Sequence, residues 1–221
     1  MCGRFTLRTP ARRVAEEFQL EELLSLEARY NIAPAQNILA VRSSSDGREA
    51  VTLKWGLIPS WAKDSSIGAR LINARSETVE EKPAFRDAFK RRRCIVPADG
   101  FYEWKQTGGS KQPYYFRMND GHPFGFAGLW ERWRTPEGEG VETCSILTTE
   151  ANEVLSPVHR RMPVILHPDT YDLWLDEDVR RQDLRKDLLC PYPASEIMSY
   201  PVSKSVNSPQ NQGEELLHPL E

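Results

Sequence analysis

Two nucleophiles stand on adjacent carbons at the amino end of the chain once its first residue is removed. Cys2 follows Met1, and removal of an initiator methionine is expected when a small residue follows it. The new α-amine would have a pKa of about 7.7–8.0, against about 10.4 for lysine. The amine can condense with an aldehyde to an imine, and the thiol can then close a thiazolidine ring in a favoured intramolecular step. Cys2 is the first catalytic candidate; the alternative is an incidental cysteine.

A carboxylate in an aromatic setting is the second candidate. Glu103 lies in the segment PADGFYEW, residues 97–104. Strand alternation would place Phe101 and Glu103 on the same face. An apolar pocket there would raise the pKa of the carboxyl group toward a value useful for proton transfer. The alternative is a glutamate on an exposed edge strand.

A histidine followed by two arginines is the third candidate. His159 precedes Arg160 and Arg161, near the end of a predicted short helix. Histidine changes its charge near neutral pH, and arginine binds anions through paired hydrogen bonds. The group could therefore donate a proton beside an anion; the alternative is a surface histidine with solvated arginines.

Two further segments suit a nucleic acid. Asn73 and Arg75 precede Ser76, which we expect to cap a helix. An amide and a permanent positive charge at the positive end of a helix dipole would suit a phosphate, whereas the alternative is capping alone. Trp61 follows Pro59-Ser60 and is predicted on a loop, where it could stack on a base; the alternative is core or rim packing.

The elements that position these residues are mostly strands, with helical patterns toward both ends. Thr9 is predicted to cap a helix whose first position is Pro10. The pattern favours an α+β fold: a single domain with a mainly antiparallel curled sheet or barrel core and flanking helices. We expect this domain over residues 1–202 and a polar, disordered tail over residues 203–221. Strands are predicted at residues 38–42, 51–58, 94–96, 100–105, 113–118, 124–130, 143–148, 164–166 and 197–202, and helices at 84–89, 151–155, 169–175 and 178–189.

Composition and charge argue against several functional classes. The 221 residues carry a net charge of −3; a basic face would have to come from residues 1–100, at +4, since residues 101–221 carry −7. The sequence has no run of 18 apolar residues and no export signal, so we expect no membrane span and a cytoplasmic location, nucleoid-associated if bacterial. Four cysteines without a CxxC pair indicate reduced thiols and no metal site. We expect no cofactor, and a monomer because no long apolar seam is evident.

Taken together and in this order, the motifs resemble the SOS-response-associated peptidase (SRAP) family. They cover residues 1 to about 166 and depart from the family pattern at no motif position. The matching segments are MCGRF at 1–5, YNIAPAQ at 30–36, WGLIPSWAKD at 55–64, NARSE at 73–77, CIVPADGFYEW at 94–104, FAGLW at 126–130, ILTTEAN at 146–152 and HRRMPVIL at 159–166.

The resemblance implies a sensor of abasic sites in single-stranded DNA. Cys2, freed of Met1, would trap the ring-opened deoxyribose as a thiazolidine DNA–protein crosslink that shields the lesion. Glu103 would handle protons at the amine and the imine. His159 would protonate the sugar ring oxygen, and Asn73 would hold the Cys2 backbone and the sugar.

The resemblance also implies a set of DNA contacts. Arg4, Arg75 and Arg161 would bind phosphates around the lesion. Pro34 and Trp61 would pack on the flanking bases. Thr148 would add a hydrogen bond to a phosphate.

Other functions remain open from the residues. An N-terminal cysteine also serves peptidases and amidohydrolases, in which the thiol attacks an acyl carbon. Release of Met1 could be autoproteolytic, with Glu103 or His159 assisting. A non-covalent reader of modified DNA is a further alternative. AP-lyase activity through the same imine is compatible with the crosslinking hypothesis.

Overall fold

The computed structural model describes residues 2–21, 23, 25–179 and 188–220. Its strands are β1 Phe5–Leu7, β2 Arg29–Ile32, β3 Asn37–Ser44, β4 Gly47–Trp55, β5 Asn73–Arg75, β6 Arg93–Ala98, β7 Gly100–Thr107, β8 Ser110–Met118, β9 Phe124–Arg134, β10 Gly140–Glu150, β11 Arg161–Pro163, β12 Ile165–Leu166 and β13 Ile197–Pro201. Its α-helices are α1 Ala11–Phe18, α2 Arg86–Arg91 and α3 Tyr171–Leu175.

Five strands close into a barrel in the order β10-β4-β3-β6-β9, because β9 also pairs with β10. A ring with an odd number of strands cannot be antiparallel at every pairing, so one pairing must be parallel. That pairing joins β4 to β10, with Lys54 opposite Thr143 and Trp55 opposite Cys144. The predicted α+β fold with a curled, mainly antiparallel barrel core is confirmed.

A second sheet has the order β13-β8-β7-β1-β2 and carries the amino end of the chain. Its short strand β1 is held between β7 and β2, with Phe5 opposite Phe101 and Ile32. The Phe5 ring packs edge-on against Trp55, 5.3 Å between centroids. This packing joins the two sheets and fixes the residues that precede β1.

The segment with Asn73 and Arg75 is a strand, so the helix predicted to begin at Ser76 is wrong. β5 runs parallel to β10, with Asn73 opposite Ile146 and Arg75 opposite Thr148. Residues 76–81 and 83–85 then form turns, and α2 begins only at Arg86. Pairing with β10 satisfies the backbone groups of β5, which local capping signals do not reveal. The helix-dipole argument for a phosphate site therefore fails, although both side chains stay available on the strand.

Two other helix predictions also need correction. Helix α1 begins at Ala11 with Pro10 in the cap position; the Thr9 hydroxyl donates to Asp99 Oδ2 at 2.9 Å and caps nothing. Residues 153–158 form turns where a helix was predicted at 151–155. The helix predicted at 178–189 lies mostly outside the described residues. No helix among the described residues has the length and apolar character to span a membrane.

The segment after Val202 is ordered, so the predicted disordered tail is wrong over residues 203–220. Val206, Leu216 and Leu217 are buried together with Tyr102 and other residues of the second sheet. The Leu220 N–H donates to the Pro201 carbonyl oxygen at 2.9 Å. Three apolar side chains on a complementary face are enough to order a segment whose composition is otherwise polar.

Candidate active site at the amino terminus

Cys2 is held by a side chain from β5, the short strand that pairs with β10 of the barrel. Asn73, the first residue of β5, donates from Nδ2 to the Cys2 carbonyl oxygen at 2.8 Å. Asn73 Oδ1 is buried and has no hydrogen-bond partner among the described residues, so this oxygen can accept a hydrogen bond from a substrate. Cys2 itself has no exposed surface in the chain that still carries Met1.

Strand β7 brings Glu103 to the same place. The Tyr102 N–H donates to the Arg4 carbonyl oxygen at 2.9 Å, which extends the pairing of β1 and β7 toward Cys2. Glu103 is buried, and burial raises the pKa of its carboxyl group, while the charge of His159 acts in the opposite direction. A raised pKa suits a carboxyl group that both accepts and returns a proton near neutral pH.

The Cys2 thiol is held in its neutral form. Burial raises its pKa, the nearby carboxylate of Glu103 raises it further, and the backbone N–H of Arg4 opposes both effects. Any reaction of the sulfur therefore needs a base. Glu103 is the candidate, because its carboxylate is close enough to raise the pKa of the thiol.

His159 faces the cleft that Glu103 lines. His159 Nδ1 lies 3.0 Å from both the backbone N–H and the backbone carbonyl oxygen of Arg161, so it accepts from the first or donates to the second according to the tautomer. Both side chains line a cavity of about 450 Å³, completed by Trp104, Lys111 and Asn207. The short helix predicted before His159 is a turn.

The three arginines predicted to bind phosphate have different surroundings. Arg75 is exposed at the end of β5. Arg161 binds the Glu77 carboxylate with both of its terminal nitrogens. Arg4 donates from Nη1 to Asn31 Oδ1 at 2.7 Å and to the Val206 carbonyl oxygen at 2.8 Å. Arg75 is thus the arginine most available to an incoming anion.

The predicted base contacts lie on loops. Trp61 is 58% exposed, and its loop is fixed by Trp133 Nε1, which donates to the Ala62 carbonyl oxygen at 2.8 Å. Pro34 is half-buried in a turn whose next residue, Ala35, has a φ of 68°. A non-glycine residue rarely adopts this conformation, so the turn is held by its surroundings.

Thr148 is the least accessible of the predicted DNA contacts. It is fully buried, and its hydroxyl donates to the Ala74 carbonyl oxygen at 3.5 Å and accepts from Arg161 Nη2 at 3.3 Å. Contact with a phosphate would require Arg161 to move first. The contact between Thr148 and a phosphate stays a prediction, and it depends on movement of Arg161.

The four predicted catalytic residues lie in one part of the structure. Asn73 forms a hydrogen bond with Cys2, and Glu103 interacts electrostatically with both Cys2 and His159. Sequence reasoning missed Glu77, although it closes the NARSE motif, and Asn31, although it lies in the YNIAPAQ motif. No group of three or more metal-ligating side chains occurs within the described part of the chain. An amine, a thiol, a buried carboxyl group and an imidazole together can perform carbonyl chemistry with proton transfer.

Comparisons with known proteins agree on one family. The SOS response associated peptidase (SRAP) profile matches residues 1–209. The chain is 44% identical to the abasic site processing protein YoqW of Bacillus subtilis, over 98% of this chain and 99% of that protein. It is 37% identical to the abasic site processing protein HMCES of Gallus gallus, over 82% of this chain and 61% of that protein. A crystal structure of a protein from Bacteroides thetaiotaomicron matches over the full length of both chains, with a TM-score of 0.89 and 28% identity.

Proposed function

The chain belongs to the SOS response associated peptidase family, and we propose that it processes abasic sites in single-stranded DNA by crosslinking them to Cys2. The observation that carries this proposal is the hydrogen bond from Asn73 Nδ2 to the Cys2 carbonyl oxygen, which fixes the terminal residue beside Glu103. An abasic site exposes a latent aldehyde and no base, so no base has to be flipped out of a stack. We expect a monomeric, cytoplasmic protein.

The reaction begins with removal of Met1, which frees the Cys2 amine. His159 then donates a proton to the ring oxygen of the abasic deoxyribose as the bond from that oxygen to C1′ breaks. The C1′ hydroxyl loses its proton in the same step, so C1′ becomes an aldehyde. Nε2 of His159 suits this role because Nδ1 is engaged with the backbone of Arg161.

The amine reacts before the thiol. Its neutral form attacks C1′, and loss of water gives an imine. The thiol must first give up its proton to a base, so it reacts after the amine. Glu103 takes the thiol proton as sulfur bonds to C1′, and the proton passes to the nitrogen, which closes the thiazolidine ring.

The same imine offers a second outcome. Removal of a proton from C2′ would eliminate the 3′ phosphate, which is AP-lyase chemistry, and Glu103 is again the available base. Ring closure by sulfur consumes the imine, so the lyase reaction would be minor while Cys2 is intact. A thiol that attacks an acyl carbon, as in peptidases, would need the same deprotonation.

Single-stranded DNA is the proposed partner because the site has separate cations and stacking surfaces. Arg75 is exposed, and Trp61 presents more than half of its surface. Single strands are bound by such scattered charges together with aromatic platforms, without a large net positive charge. Pro34 would pack on the base at the other side of the lesion.

Intact-mass analysis after incubation with an abasic single-stranded oligonucleotide tests the proposal. The expected result is a protein without Met1 whose mass rises by that of the oligonucleotide less one water. Cys2→Ala keeps the amine and loses the thiol, so it should give no heat-stable adduct but an imine that borohydride traps. Cys190→Ala, at an exposed cysteine, is the control and should crosslink like the unaltered protein. A heat-stable adduct with Cys2→Ala, or an active protein that retains Met1, would overturn the proposal.

A further inference from the structure

Glu77 occupies the anion-binding side of Arg161. Its two carboxylate oxygens accept from the two terminal nitrogens of the guanidinium group, one of them at 2.9 Å. The Arg161 Nη2 atom also donates to the Thr148 carbonyl oxygen. Arg161 is mostly buried, with 16% of its side chain exposed, whereas the Glu77 side chain is 46% exposed.

A second arginine acts on the same carboxylate. The hydrogen bond from Arg161 and the charges of Arg161 and Arg75 hold the pKa of Glu77 below its usual range, against burial. Arg75 ends β5, which pairs with β10 at Thr148, and Glu150 of β10 pairs with Arg161 of β11. The strand order therefore places both arginines around one carboxylate at the edge of the candidate site.

A carboxylate in this position resembles a phosphate. Both groups present two oxygens to the two terminal nitrogens of an arginine, and both form the same bidentate arrangement. Because the carboxylate is partly exposed, it lies between Arg161 and any anion that approaches from solvent. A DNA phosphate can reach the fork of Arg161 only if the Glu77 carboxylate leaves it.

We propose that Glu77 is an internal stand-in for a DNA backbone phosphate, which must displace it from Arg161 when a single strand binds. This inference rests on the proposed function and adds to it a residue that limits affinity for undamaged single strands. Displacement leaves the Glu77 charge without its partner, so the exchange weakens binding. The exchange also changes how binding depends on salt.

The salt dependence follows from counting charges. When a cation on a protein neutralises a phosphate of a single strand, the slope of log K against log salt steepens by about 0.7. In the unaltered protein, Arg161 exchanges the Glu77 carboxylate for a DNA phosphate. The released carboxylate then attracts a cation from the salt solution. Contact by Arg161 should therefore add little to the slope until Glu77 is neutralised.

The experiment measures binding of a single-stranded oligonucleotide without an abasic site, by fluorescence anisotropy over a range of salt concentrations. Glu77→Gln should bind roughly two- to fivefold tighter at low salt, the range expected for loss of a partly exposed ion pair. Its salt slope should steepen by about 0.7. Glu81→Gln removes the same charge from an exposed position four residues away and should change the affinity and slope much less.

A double-mutant cycle separates the ion pair from a general charge effect. In an Arg161→Ala background, Glu77→Gln should lose most of its advantage over Glu81→Gln, because the guanidinium that it would release is gone and only the charge of Arg75 still acts on position 77. Thermal unfolding of each variant checks that the fold is kept.

The outcomes are distinct from those of the proposed function. Unchanged or weaker binding by Glu77→Gln, or an unchanged slope, would overturn the inference, and weaker binding would mean that Glu77 holds Arg161 in place for DNA. The crosslinking proposal would survive that result, because it depends on Cys2 and an abasic strand. If the unaltered protein binds no single strand, both proposals fall.

Discussion

Glu103 is a buried carboxyl group that interacts with charged groups of the candidate site. Burial raises the pKa of its carboxyl group, and the charge of His159 lowers it. The same carboxylate raises the pKa of the Cys2 thiol. Burial therefore raises the pKa of both the proton donor and the proton acceptor.

The rate of crosslinking should depend on pH through Glu103. The carboxylate is the form that accepts the thiol proton, and its raised pKa means that this form is lost as the pH falls through a higher value than for an exposed glutamate. Glu103→Gln should slow single-turnover crosslinking at pH 7 by about 10²–10⁴ and abolish the acidic limb of the pH profile. Glu150→Gln, at an exposed position, should leave both unchanged. An acidic limb that persists in Glu103→Gln would assign it to another group.

The raised pKa of Glu103 should also make the stability of the protein depend on pH. A carboxyl group whose pKa is raised by folding binds its proton more tightly in the folded state, so stability falls as the pH rises through the folded pKa. Glu103→Gln removes a buried charge and should therefore unfold at higher temperature than the unaltered protein at pH 7, by about 1 kcal/mol in stability. Thermal unfolding from pH 4 to pH 8 checks this, since the difference should shrink at the acid end. Equal stabilities across the range would contradict it.

At the scale of elements, the candidate site depends on two strands that local sequence signals do not predict as a pair. β1 is three residues long and β5 is three residues long. Neither would be stable alone, and each is ordered by a longer strand, β7 or β10. The hydrogen bond between Asn73 and Cys2 joins the start of β5 to the residues that precede β1.

The packed segment after Val202 should contribute to stability through a few apolar side chains. Leu216 is fully buried, whereas Leu220 is 45% exposed. Leu216→Ala should cost about 2–5 kcal/mol of unfolding free energy, the range for a buried leucine. Leu220→Ala is the matched control and should stay within about 0.5 kcal/mol. Chemical denaturation would compare them, and equal stabilities would show that the segment does not pack in solution.

At the scale of the whole molecule, DNA binding must arise from a local surface, because the net charge is −3. Arg75→Glu should weaken binding to any single strand by about tenfold or more at low salt, since it replaces a phosphate contact with a repulsive charge. Arg12→Glu makes the same change in net charge on α1, where Arg12 is almost fully exposed, and should have a much smaller effect. Equal losses for the two variants, measured by anisotropy, would point to overall charge and remove Arg75 from the site.

The sequence by itself determined the chemistry of Cys2 and the positions of most strands. Alternation and β-branched composition act over a few neighbouring residues, so the strands of the barrel were predicted close to their observed places. The carboxylate of Glu103 was also placed on a strand beside Phe101, as the structure has it.

Only the tertiary structure decided what depends on distant neighbours. Asn73 and Arg75 lie on a strand because β10 offers them a partner, and residues 203–220 are ordered because the second sheet offers them an apolar face. The neutral Cys2 thiol and the pairing of Arg161 with Glu77 likewise arise from residues far apart in the chain. Burial, charge and strand pairing are properties of the folded arrangement, and a local sequence pattern does not encode which residues will supply them.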